Sequence, residues 1–210
     1  MCYFLKIITL ILGRFAVNTY IVFKEGSSEC VVIDPGDGFD RIQYELKKNS
    51  LTPKGIILTH SHFDHIGSLW ELAVKYNCPI YNHIDDVEML SDSIKNLSAH
   101  FCDNPIEIFK TENTLEDNEV FKVAGLTFET IHTPGHVKGC AVYKCENVLF
   151  TGDTLFDGCC GRCDLWSSSV EDMRASLDRL FKLDDSFEVL SGHGNPTTIG
   201  EQRNSYKTFI

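Results

Sequence analysis

Cationic charge is what this chain of 210 residues has least of: 19 Lys and Arg stand against 30 Asp and Glu, a formal charge of -11. Nucleic-acid binding rests on a cationic surface, so the balance argues against a phosphate-backbone partner. Long apolar runs are missing too. The most apolar stretch near the start, Ile7–Leu12, is bracketed by Lys6 and Arg14 and is too short to span a bilayer. No small-residue cleavage site follows it, so the segment reads as an opening pair of strands, with no membrane partner and no signal peptide. A regular cysteine framework is absent: there are nine cysteines, an odd number at irregular spacing. They cannot all pair within one chain, which points to a reducing compartment and a cytoplasmic location. Internal repeats, linkers and low-complexity tracts are lacking, and residues 1–210 read as one domain.

What the chain does have is concentrated between residues 59 and 65. Thr59-His60-Ser61-His62-Phe63-Asp64-His65 places three imidazoles and a carboxylate directly after the apolar run Gly55-Ile56-Ile57-Leu58. That run reads as a buried strand, which sets the cluster on the loop leaving its end. A helix would turn His60 and His62 apart, because only residues three or four apart share a helical face. A tight loop lets His60 and His62 face one point, with Asp64 and His65 facing another. Neutral imidazole and carboxylate are ligands suited to zinc and iron.

Strands are predicted at Phe4–Leu12, Asn18–Phe23, Cys30–Ile33, Gly55–Leu58 and Pro79–Asn82. Hairpins are predicted about Ala124-Gly125 and Glu146-Asn147, and a last strand at Glu188–Ser191. Helices follow from the spacing of Phe39, Ile42 and Leu46, and of Ile66, Leu69, Trp70, Ala73 and Tyr76. A further helix follows from Val170, Met173, Leu177, Leu180 and Phe181, capped by Ser168 or Ser169. Ile84–Leu90 reads as a short helix, and Ser93–Glu112 shows no period and reads as a surface loop. Strands in two blocks, each mixed with helices, imply an α+β fold of two packed sheets covered by helices.

Ligand-type residues recur just past the predicted strands: His60 after Leu58, His136 after Ile131, Asp153 after Phe150 and His193 after Leu190. Loops at strand ends share one edge of a sheet sandwich, so these segments are expected to converge there. Each later candidate has a glycine neighbour, in Pro134-Gly135-His136, Gly152-Asp153 and Gly192-His193-Gly194. Glycine permits the backbone turns that aim a side chain inward. One histidine alone is a poor metal ligand candidate, but seven ligand-type side chains in four such loops point strongly to a metal site. His83, His100 and His132 are read as non-ligands, with His132 a candidate for a supporting hydrogen bond. Asp34 is read as a turn or supporting residue. Arg162 and Asp164 read as a structural ion pair, and Cys159, Cys160 and Cys163 as unpaired loop thiols.

The segments T-H-x-H-x-D-H at 59–65, H-T-P-G-H at 132–136, F-T-G-D-T-L-F at 150–156, G-R-x-D-L at 161–165 and G-H-G-x-P-T-T-I-G at 192–200 carry a resemblance. Taken in order, they resemble the metallo-β-lactamase superfamily, within it the compact glyoxalase II-like (hydroxyacylglutathione hydrolase-like) branch. The resemblance spans essentially the whole chain and implies a four-layer αβ/βα sandwich. It also implies a two-metal centre, zinc foremost with iron or manganese as alternatives. One ion would take His60, His62 and His136 and the other Asp64, His65 and His193, with Asp153 bridging. Asp64 and Asp153 are the carboxylates implied in catalysis. The implied activity is hydrolysis of a glutathione-type thioester such as S-lactoylglutathione by a bridging hydroxide. A persulfide dioxygenase using one iron on His60, His136 and Asp153 is the alternative. Full-length glyoxalase II enzymes carry a further C-terminal helical region contributing glutathione contacts; this sequence stops 17 residues after His193.

Overall fold

Alternation along the strands sets the layering. In β3 (Glu29–Ile33), Cys30 and Val32 face one way and Val31 and Ile33 the other, and all four are fully buried. A strand that is apolar on both faces must be covered on both. The computed structural model, which describes residues 4–109 and 113–205, supplies both covers. β1 (Leu5–Leu12), β2 (Val17–Lys24) and β3 form antiparallel neighbours. β4 (Thr52–Ile57), β5 (Ile80–His83) and β6 (Asn113–Leu115) continue the sheet in parallel. Helices α1 (Phe39–Lys48) and α2 (Leu69–Tyr76) make the crossovers between β3 and β4 and between β4 and β5.

The second sheet runs β12-β11-β10-β9-β8-β7. Its strands are β7 (Val120–Val123), β8 (Leu126–His132), β9 (Ala141–Cys145), β10 (Val148–Gly152), β11 (Glu188–Ser191) and β12 (Thr197–Thr198). Only β10 and β11 pair in parallel. Short helices α3 (Val87–Leu90) and α4 (Ser98–Phe101) lie between β5 and β6, α5 (Val170–Leu180) between β10 and β11, and α6 (Ile199–Ser205) at the end.

Three apolar seams hold four layers together. Ile42, Leu46, Leu69 and Leu72 of α1 and α2 pack on Val32 and Ile56. Val31, Ile33 and Ile57 meet Phe128, Tyr143 and Phe150 between the sheets. Met173, Leu177 and Leu180 of α5 pack on Val142, Leu149 and Val189. Each fully buried side chain of this size contributes roughly 1.5–3 kcal/mol. The fold is therefore the expected α+β, αβ/βα sandwich. Among the described residues no helix is long and apolar enough to cross a membrane.

Several boundaries differ from the sequence reading. β4 starts at Thr52 and takes in Pro53, because a register shift between Cys30 and Val31 accommodates the missing amide. α2 starts only at Leu69, and Trp70 is 54% exposed, outside the core stripe. The segment read as a surface loop, 93–112, is described to residue 109, and the rest lies outside the described residues. Up to there it is partly interior: Asn96, Ser98 and Ile108 are buried. Its order comes from backbone turns, the single turn of α4 and side chain-to-backbone bonds rather than an amphipathic stripe. Asn96 Nδ2 donates to the Ile106 carbonyl at 2.8 Å, and the Ile106 amide donates to Ser98 Oγ at 2.8 Å. Such bonds leave no period to read. The sequence pattern does not mark β6, β12 or α6 either.

Candidate metal centre

β8 is antiparallel to β9 and β9 to β10, so β8, β10 and β11 all run the same way. Their C-terminal ends therefore open on one edge, and from that edge emerge His136, Asp153 and His193. β4 of the other sheet delivers the loop 59–65 to the same edge. The sheets are tied there directly: Asn18 N donates to the Gly192 carbonyl at 2.7 Å, and Ala141 N to the Thr59 carbonyl at 2.9 Å. Tyr20 Oη adds a bond to the Ser191 carbonyl at 2.6 Å.

All seven candidates meet. His60 Nε2 lies 3.0 Å from His62 Nδ1, which lies 2.9 Å from His136 Nε2. That spacing is near what imidazoles roughly 2.0–2.1 Å from one shared zinc would show. A second group forms from Asp64, His65 and His193, with His193 Nε2 3.4 Å and His65 Nε2 4.0 Å from Asp64 Oδ2. Asp153 stands between them: Oδ2 is 3.6 Å from His136 Nε2, and Oδ1 is 3.4 Å from His65 Nε2 and 3.7 Å from His193 Nε2. His60, His62, His65 and His136 are buried, and His193 is the most open of the set.

The electrostatics fit cations. His65 Nε2 and Asp153 Oδ1 face each other at 3.4 Å, both buried and neither in an aligned hydrogen bond, and burying polar atoms so poorly satisfied is costly. Burial and the neighbouring imidazoles push His60 well down, and burial with His136 brings His62 to about 3. Both are thus neutral rings with lone pairs to offer. Burial would lower His65, but the carboxylates of Asp153, Asp64 and Asp34 outweigh it and hold the ring protonated. Burial would raise Asp153, yet His65 and its neighbouring imidazoles take it well below the carboxylate range. Asp64, lowered chiefly by His65 against its burial, is also ionised. Protons here stand where divalent cations would balance the same carboxylates.

A ring of supporting groups aims the candidate ligands. His65 Nδ1 lies 3.0 Å from Asp34 Oδ2, and His136 Nδ1 lies 2.8 Å from the Arg162 carbonyl, each turning Nε2 inward. Asp34 also accepts from the Thr59 amide at 2.8 Å and from Thr59 Oγ1 at 2.6 Å. It does so at φ 49°, a left-handed conformation that Asp tolerates better than most residues. A Cβ at Gly192 would collide with Asp153 Oδ1 and His65 Cε1, which explains the glycine before His193.

Sequence reasoning missed Asp86. It is buried beneath the loop, accepts from the Ser61 amide at 3.3 Å and pairs closely with Ser61 Oγ. Nothing in Ile84-Asp85-Asp86 marks it out, because its partner lies 25 residues away. Ser168, read only as a possible cap, instead donates to the His136 carbonyl at 2.6 Å, and Ser169 caps α5. His132 does not support a ligand imidazole: it bonds the Lys138 carbonyl and stacks on His83 at 3.8 Å. Arg162 and Asp164 do pair, on the exposed side of the segment whose carbonyl holds His136. Cys159, Cys160 and Cys163 are free thiols, and burial pushes Cys160 up to about 11, away from reactivity.

The family model described as "Metallo-beta-lactamase superfamily" matches residues 12–193. The chain is similar to "Probable metallo-hydrolase YqgX" of Bacillus subtilis, at 33% identity over 89% of both chains. It is similar to "Hydroxyacylglutathione hydrolase GloC" of Haemophilus influenzae, at 29% over 91% of this chain and 92% of the relative. Among solved structures, a B3 metallo-beta-lactamase, BLEG-1, superposes with a TM-score of 0.89 at 33% identity, covering 95% of this chain and 97% of the other. TTHA1623, solved in a di-iron-bound form, does so with a TM-score of 0.82 at 32% identity, covering 94% and 98%.

Proposed function

This chain belongs to the metallo-β-lactamase superfamily, and from that premise we propose that it is a binuclear metal-dependent hydrolase of thioesters, with glutathione thioesters such as S-lactoylglutathione as the first substrates to test. The observation that carries the reading is the pair of candidate ligand clusters facing one shared carboxylate, with buried ligand-type atoms between them that make no aligned hydrogen bond. His60, His62 and His136 would hold one ion, Asp64, His65 and His193 the other, and Asp153 would face both. Zinc suits this donor set, with iron or manganese as alternatives. When bound, such a pair supplies a water that reacts near neutral pH and a counter-charge for a carbonyl oxygen.

The chain's own residues do the rest. Asp34 and the Arg162 carbonyl fix the imidazole orientations, and Ser61, held by Asp86, fixes the backbone between His60 and His62. The bulk of the cluster is shielded from water, and His193 leaves one side open to a small molecule. A thiolate leaving group, with a reference pKa of about 8.5, departs without a strong acid. Thioester cleavage therefore asks little of the surrounding side chains beyond positioning. The relative named a hydroxyacylglutathione hydrolase supports this substrate class.

Metal analysis of freshly purified protein, run beside three activity assays, tests the reading. About two ions per chain and hydrolysis of S-lactoylglutathione without oxygen uptake are expected. One iron per chain with oxygen uptake on a glutathione persulfide would replace it with the dioxygenase reading. Faster turnover of a chromogenic cephalosporin than of any thioester would replace it with the activity named for BLEG-1.

A further inference from the structure

Beside the metal cluster lies a cavity of about 980 Å³, between the turn joining β1 to β2, helix α2 and the chain that follows α4. Its size is at the upper end of the roughly 300–1,000 Å³ typical of small-ligand sites. Asp64 belongs to both places: it lines the cavity, and its Oδ2 lies 3.4 Å from His193 Nε2. The next residue back, Phe63, stacks on Phe101 with centroids 5.0 Å apart and meets Phe15 edge-on at 5.0 Å. Phe15 and Phe101 are 41% and 44% exposed, and Trp70, the residue that left the core stripe of α2, extends the same wall. Apolar surface presented in a concave wall next to a reactive centre gains by being covered.

Charge in the cavity is one-sided. Asp37, Glu71, Asp103 and Glu107 line it with Asp64, and among the described residues its only cation is Arg14. That guanidinium is held on the wall: Nη2 donates to the Phe101 carbonyl at 2.9 Å, and Cζ lies 4.9 Å from the centre of the Phe15 ring. An anionic group placed here would meet five carboxylates against a single guanidinium, and like-charge contacts are strongly disfavoured. A glutathionyl or coenzyme A carrier is therefore the wrong half of a thioester for this wall. The acyl half remains.

We propose that the cavity formed by Phe15, Phe63, Trp70 and Phe101 receives the acyl group of the substrate, and that it selects an apolar, uncharged one, aryl or medium-chain alkyl, over a small polar or acidic one. The assignment rests on the thioester-hydrolase reading and narrows its substrate class, ranking S-lactoylglutathione, whose acyl group is small and polar, below aryl and medium-chain alkyl thioesters.

The metal-loaded full chain is assayed with N-acetylcysteamine thioesters of acetate, succinate, octanoate and phenylacetate. The short neutral carrier is kept constant so that only the acyl group varies. Octanoyl and phenylacetyl thioesters are expected to exceed acetyl in kcat/KM by about tenfold or more, with succinyl below acetyl. Phe101→Ala, or the more exposed Trp70→Ala should the first not fold, cuts that preference by roughly fivefold. Asp103→Asn combined with Glu71→Gln raises succinyl relative to octanoyl turnover. Active protein with a flat acyl series, or a preference unmoved by these variants, overturns the cavity assignment and leaves the hydrolase reading in place. Should no thioester turn over, the thioether S-(2-phenylethyl)-N-acetylcysteamine is titrated calorimetrically. Saturable binding weakened by Phe101→Ala keeps the cavity as an apolar-group site and removes the hydrolase reading; no binding overturns the cavity as well.

Discussion

Asp34 Oδ2 lies 3.0 Å from His65 Nδ1, across 31 residues of chain, and both side chains are buried. The same carboxylate binds the amide and hydroxyl of Thr59. One side chain just past the end of β3 thus holds both the start of the candidate ligand loop and the imidazole of His65 within it. Asp34→Asn retains the shape and removes the charge, so metal affinity should fall by roughly 10–100-fold. Competition against a chromogenic chelator measures it. Unchanged affinity would mean that His65 is oriented by other contacts.

Truncating His136 removes one of three clustered imidazoles and leaves the Asp64–His65–His193 group complete. His136→Ala should reduce the metal content from about two ions to about one per chain, with thioesterase activity falling by two orders of magnitude or more, on the scale of removing a metal-held water. Elemental analysis beside a turnover assay reads both. A variant retaining both ions would remove His136 from the ligand set.

Exhaustive chelation should abolish turnover and lower the melting temperature. Ions at about 100 times their dissociation constant add roughly 2.7 kcal/mol, and for a chain of this size each kcal/mol is worth about 2–4 °C. Zinc, iron and manganese, added separately to the stripped protein, should each restore the melting temperature, and the activity each restores ranks the metals. Full turnover after chelation would end the metal-dependent reading.

Asp86 titrates at the heart of the fold. Burial lifts its carboxyl from 3.8 to about 7 despite the hydrogen bonds from Ser61. Between those values the folded chain keeps a proton that the unfolded chain has released, so stability falls as pH rises. The contribution is fully present below about pH 4 and is lost as pH passes through about 7, a span on the order of 4 kcal/mol. Asp86→Asn should flatten that part of the profile in urea melts of the metal-free protein at pH 5, 6, 7 and 8. An unchanged slope would place the titration elsewhere.

Gly161 lies against the backbone of the centre: a Cβ there would overlap the Asp153 carbonyl oxygen and come within 3.2 Å of His136 Cβ. Backbone cannot swing aside as a flexible side chain can. Gly161→Ala should therefore cost about 1–3 kcal/mol and loosen the hold on both ligands. Calorimetry and metal content together check this. Wild-type stability would show that the 159–163 segment yields freely.

The sequence alone determined the outline. Loops rich in His, Asp and Gly placed at strand ends, and strands apolar on both faces, follow from local spacing, and they point to the layered α+β architecture and to the seven side chains that cluster. Strand direction, which only the sheet pairings reveal, then brought those loops together, since β8, β10 and β11 run alike and open on one edge. Tertiary structure decided what pairs across distance. The hold of Asp86 on Ser61, the carbonyl of Arg162 beneath His136, and the cavity joining Phe15, Trp70 and Phe101 involve residues separated by 25 positions or more. The 93–109 segment folds through short backbone turns and side chain-to-backbone bonds, and these leave no hydrophobic period behind. A buried carboxylate or a shared cavity wall is a property of neighbours in space, and a chain read in one dimension carries no trace of which neighbours those are.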